Sequence, residues 1–149
     1  MFLFEVPAEK PAANPRLRIW IALAGVVALA AVAWLGFRFY PEKKAAGQFL
    51  DALVAGDMAR AYQIWKPGES YTMQDFLADW GPKGYYGPVK SYRIAGASSP
   101  RGGSGVIVSV QVSPYAPFPT AEDGEKNRST RTVSIWVEAK DKSFSFPPP

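Results

Sequence analysis

Residues 49–65 read FLDALVAGDMARAYQIW, and this stretch decides the fold. Phe49, Leu50, Leu53 and Val54, with Ala45 before them, recur at helical spacing. Gly56 suits the position just past a helix end, where left-handed backbone favours a residue without Cβ. Asp57 is then a natural N-cap for a second short helix, since its carboxylate can accept from an unpaired first-turn N–H. In that helix Ala61, Tyr62 and Trp65 share one face, and Pro67-Gly68 ends it. The stretch reads as helix, tight corner, helix, with one apolar side. Packing accounts for every residue in it, so none needs a chemical role.

Downstream the same period runs once more. In TMQDFLADW (72–80), Thr72-x-x-Asp75 has the spacing of a capping box, and Phe76, Leu77 and Trp80 supply an apolar face. GPKGYYGPV (81–89) is a turn-rich connector. From Val89 the period falls from 3.6 to 2. YRIAG (92–96), GVIVSVQVS (105–113) and RTVSIWVEA (131–139) alternate as half-buried antiparallel strands. Val106, Val108, Val110 and Val112 form one face of the second; Val133, Ile135 and Val137 form one face of the third. SFSF (143–146) supplies a short fourth. SSPRGGSG (98–105) is a hairpin loop; no Gly-Lys-Ser/Thr follows it and no helix opens after it, so it is not read as a phosphate loop. The connection PYAPFPTAEDGEKNR (114–128) shows no period. Its first half predicts a stiff, polyproline-like path that presents Tyr115 and Phe118 as a partner contact, or docks them to pin the loop.

Upstream lie nineteen uncharged residues between Arg18 and Arg38, IWIALAGVVALAAVAWLGF. As a helix they span ~28 Å, close to the ~30 Å hydrocarbon core of a bilayer. Nine are Ile, Leu, Val or Phe, worth about −3 to −5 kcal/mol on the insertion scale, with no charge opposing them. Trp20 and Trp34 lie near opposite ends as interfacial rims, and Arg18 and Arg38 can reach the headgroups. Ala31-Val32-Ala33 has the small-x-small pattern of a leader cleaved after Ala33. The eighteen residues before the run and the apolar residues after that site favour a retained signal-anchor. Ala24 and Ala28 form a small-xxx-small pair that permits self-association. Lys10, Arg16 and Arg18 precede the span and Arg38, Lys43 and Lys44 follow it, so charge nearly balances. The short basic tail favours a cytoplasmic N-terminus, with the following domain outside, in the periplasm of a bacterium.

The expected order is therefore a flexible tail (1–16), a transmembrane helix (17–40) and a small α+β domain (41–149). That domain carries about three helices on a curved antiparallel sheet of three to four strands. The 149 residues include no cysteine and no histidine, which removes thiol and imidazole chemistry and the metal sites built on them. Residues 1–40 hold four basic and two acidic side chains; the remainder hold thirteen and eleven, a net of +2. That is no nucleic-acid footprint, despite a pI near 9.4.

Phe49, Leu50, Leu53, Gly56, Asp57, Ala61 and Tyr62 (FLxALxxGDxxxAY), TMQDFLADW and the three strands together resemble the nuclear-transport-factor-2-like, or cystatin-like, superfamily. The likeness covers residues 43–146 and extends in layout to small bacterial proteins with one membrane anchor. It implies a pocket between helices and sheet, here with Tyr62, Trp65 and Trp80 as its apolar wall. Steroid isomerases and dehydratases of that superfamily work in such a pocket. Their dehydratase chemistry uses histidine, which this chain lacks. Isomerase chemistry has only Tyr62, Tyr85, Tyr86, Asp75 and Asp79 as counterparts. The sequence-level expectation is a non-catalytic accessory protein with no metal and no cofactor. Its partners would be the bilayer, other membrane proteins, or a second copy through the helix or the sheet. The alternative is an extracytoplasmic small-molecule binder or pocket enzyme.

Overall fold

The structure is a computed structural model that describes residues 10–147. The chain divides into two compact units, Met1–Arg38 and Phe39–Pro149. The apolar start of the tail, Met1 to Phe4, lies outside the described residues.

The first unit is built on helix α1, Pro15–Phe37. It begins two residues before the expected boundary because Asn14 caps it. The Asn14 side chain accepts from the Arg16 N–H at 3.2 Å, and Pro15 enters the first turn, where its missing N–H costs nothing. No residue of α1 is buried. It is long and apolar enough to cross a membrane. It ends at Phe37, earlier than the expected 40, and Pro41 lies in the first turn of the next helix.

The second unit is α+β. Helix α2 (Tyr40–Val54) buries Ala46, Phe49, Leu50, Ala52 and Leu53. Gly56 turns the corner at φ +75°, in the left-handed region that a side chain would resist. The Gly56 N–H donates to the Leu53 carbonyl and that of Asp57 to Ala52, both at 3.0 Å. Asp57 then caps α3 (Met58–Trp65) by accepting from the Arg60 N–H at 3.1 Å. Helix α4 (Met73–Trp80) opens on a complete capping box between Thr72 and Asp75. Those donations from the Thr72 backbone and hydroxyl hold the Asp75 carboxyl below its usual range.

Four strands follow: β1 (Ser91–Ser98), β2 (Gly105–Ser113), β3 (Arg131–Glu138) and β4 (Phe144–Ser145). They form one antiparallel meander in sequence order. Val108 faces Ile135 and Val110 faces Val133, so the valine faces of β2 and β3 coincide. In β1 the alternation breaks. Ile94 pairs with Val110 but Gly96 with Ser109, a bulge that leaves Ala95 unpaired and brings Ala97 opposite Val108. Helix α2 packs on β1, β2 and β3; α3 packs on α2, and α4 on α3. The β2–β3 connection is not wholly aperiodic, since it contains the short helix α5, Gly124–Arg128.

Candidate functional site

The four rim residues all belong to the α1 unit. Arg18, Trp20 and Trp34 are exposed on the helix, and the Arg38 guanidinium lies 5.1 Å from the Trp34 ring. This pair places a cation against an aromatic face at one end of the apolar run.

Tyr62, Trp65 and Trp80 come together in the second unit. Trp65 and Trp80 are 2% and 1% exposed, and Tyr62 is half-buried. Phe49 sits at their centre, with ring centroids 5.0 Å from Trp65, 5.2 Å from Trp80, 5.5 Å from Phe144 and 6.1 Å from Phe76. Phe146 stacks on Trp80 at 6.2 Å. The Tyr62 hydroxyl donates to the Tyr71 carbonyl at 2.7 Å. Among the described residues, Trp80 Nε1 is buried without an acceptor. These rings fill the space between helices and sheet with one another. None of the three cavities described below is lined by Tyr62, Trp65 or Trp80.

Tyr115 and Phe118 part company. Tyr115 is exposed, with the Lys126 ammonium 5.7 Å from its ring. Phe118 is half-buried, with the Arg93 guanidinium 4.9 Å from its ring. The loop is tied to the sheet by Ser91 Oγ donating to the Tyr115 carbonyl at 2.5 Å and by the Tyr115 N–H donating to Ser113 Oγ at 3.1 Å. The expected polyproline-like path is not adopted. The chain bends through 114–117, and the Ala116–Pro117 bond is cis.

The residues weighed for isomerase chemistry have other partners. Tyr71, which sequence reasoning passed over, donates its hydroxyl to Asp79 at 2.6 Å, and burial followed by that bond raises its pKa. Asp75 is engaged in the α4 cap. Glu138, on the outer sheet face, accepts from Trp136 Nε1 at 2.9 Å; the Ser104 hydroxyl and then this indole lower its pKa. Tyr92 donates to Asp51 at 2.6 Å. Each carboxylate here already accepts a hydrogen bond that orders local structure.

The cavities formed by the described residues include three in the second unit. The largest of these three, about 570 Å³, is lined by Tyr86 and Pro88 of the 81–89 connector and by Arg128, Ser129, Thr130 and Arg131 where α5 hands over to β3. The second, about 460 Å³, has Lys44, Lys66 and Lys142 around an apolar floor of Ala45, Ile64 and Phe144. The third, about 160 Å³, lies along α2 between Asp51 and Asp57. Lys142 forms an ion pair with Glu42 at 3.3 Å. Sequence reasoning found none of these cavities. The first joins segments more than forty residues apart, and its arginines sit at the end of a stretch without a period.

No protein-family model, no curated protein and no solved structure matches this chain.

Proposed function

We propose that this chain is a single-pass membrane-anchored accessory protein whose second unit binds or steadies a membrane protein complex without catalysing a reaction. The observation that carries this reading is α1: a 23-residue apolar helix with no buried residue needs an apolar environment from outside the chain. The bilayer supplies one. Lys10, Arg16 and Arg18, before the uncharged run, favour a cytoplasmic N-terminus and an extracytoplasmic domain. The Arg38–Trp34 contact supports an interfacial rim at the far end.

Binding is favoured over catalysis by where the side chains are committed. Asp75, Asp123 and Asp141 have lowered pKa values because backbone and side-chain donors order them in a cap and turns, and Glu138, on β3, because the Ser104 hydroxyl and then the Trp136 indole donate to it. None is held near neutrality in a cavity, where a general acid or base belongs. Exposed Tyr115, on a loop fastened at both Ser91 and Ser113, is a rigid aromatic of the kind that anchors protein interfaces. Three helices on one face of an antiparallel sheet support the likeness to the cystatin-like superfamily, used here as a binding platform.

The test is replacement in the cell. Full-length protein restores whatever its removal disturbs, and a soluble 41–149 fragment does not. Full restoration by that fragment would overturn the anchored reading.

A further inference from the structure

The cavity lined by Arg128 and Arg131 carries an inference that goes beyond membrane anchoring and does not depend on it. Its walls are fixed from both sides. Along the connector, the Tyr85 N–H donates to the Ala78 carbonyl at 2.9 Å and the Tyr86 N–H to Asp79 at 2.8 Å, so the chain is strapped to the end of α4. Gly87 passes so close to the Gly81 carbonyl that an added Cβ would sit 1.8 Å from its oxygen. Opposite, Arg131 opens β3 beside Val112, and Arg128 closes α5.

The cations in this cleft are uncompensated. Neither Arg128 nor Arg131 has a carboxylate within 4 Å among the described residues. The Arg131 guanidinium lies 4.6 Å from the Tyr85 ring, which holds it in place without neutralising it. Arg131 also acts on Tyr86, favouring its ionised form against the larger effect of burial. Glu122 and Glu125 share the loop but do not line the cleft, and Asp79 already accepts from Tyr71. Guanidinium groups present a planar fork of donors that matches carboxylate and phosphate oxygens. Holding one on an aromatic face in advance lowers the ordering cost of binding. A concave site concentrates the field of both.

We propose that this cleft is an oxyanion-binding site, in which Arg128 and Arg131 take a carboxylate or phosphate group, with Tyr86 and Ser129 at its wall.

The experiment uses full-length protein in a mild detergent, with inorganic phosphate and malonate as probes and chloride at equal ionic strength as reference. Thermal unfolding is followed by tryptophan fluorescence. The melting temperature rises saturably, by roughly 4 °C or more at tenfold excess over Kd, with at least one probe. The probe that acts identifies the anion class. The Arg128→Gln/Arg131→Gln double variant loses the rise, and Arg131→Lys, which keeps the charge but not the fork, retains only part of it. A cooperative transition in chloride confirms that each variant is folded. Lys44→Gln/Lys66→Gln, at the second cavity, keeps the full rise. No saturable response to either probe, an undiminished response in the arginine variant, or its loss in the lysine variant would overturn the proposal.

Discussion

Phe49 has no exposed surface and touches the rings of Trp65, Trp80, Phe144 and Phe76. Removing it leaves a hole that aromatic neighbours from three elements cannot jointly close. Phe49→Ala should cost about 3–5 kcal/mol, read from denaturant unfolding of the detergent-solubilised protein. A loss under ~1 kcal/mol would mean the cluster is not the core. Tyr92 gives a pH signature. Burial first, and its hydrogen bond to Asp51 second, push its pKa up to about 12, against about 10 in an unfolded chain. The folded state thus favours the protonated phenol. Its contribution is whole below pH ~10 and fades as pH rises toward ~12. The stability difference between wild type and Tyr92→Phe should shrink across that window, and a constant difference would contradict the assignment. Phe49, Trp65 and Trp80 were each legible on the apolar face of their own helix, because helical spacing reports burial directly. Phe144 and Phe146 were not, since a two-residue strand has no period. Tyr71 was missed for a related reason. It precedes the α4 cap in a turn, and only the fold brings its hydroxyl to Asp79.

At the scale of elements, local signals read well and distant ones did not. Gly56-Asp57 and Thr72-x-x-Asp75 specify their own corners within four residues, and the structure forms both. The bulge at Ala95 depends on how β1 meets β2, so a straight alternation was the natural expectation. α5 is a single helical turn in a polar stretch, too short for an apolar period. The Glu42–Lys142 pair is the clearest long-range case, joining the first turn of α2 to the β3–β4 turn across 100 residues. Glu42 is 7% exposed, so an absent cation leaves it with little water to replace the contact. Lys142 is itself a third exposed, which weakens the pair by screening. Lys142→Met should destabilise by about 1 kcal/mol, and Glu42→Gln in the same chain should recover part of that. A double-mutant cycle with no coupling would show that the two side chains do not hold the elements together.

At the scale of the whole molecule, the α1 segment was the easiest to read, because an apolar helix of membrane length announces itself by composition, without register or partner. Its N-terminal boundary moved to Pro15 because Asn14 caps it, a polar detail invisible to hydropathy. The candidate binding residues were harder. Tyr62, Trp65 and Trp80 were legible as a group but pack together, while the cleft at Arg128 and Arg131 exists only once the connector and the β2–β3 loop meet. The role proposed for this chain is that of a membrane-anchored accessory subunit. The measurement that tests it most directly is gentle detergent extraction of tagged full-length protein from its own membranes, followed by native mass spectrometry. An accessory subunit leaves the membrane with discrete proteins in fixed ratio. Recovery of the chain alone, or with only a bound small molecule, would contradict that role.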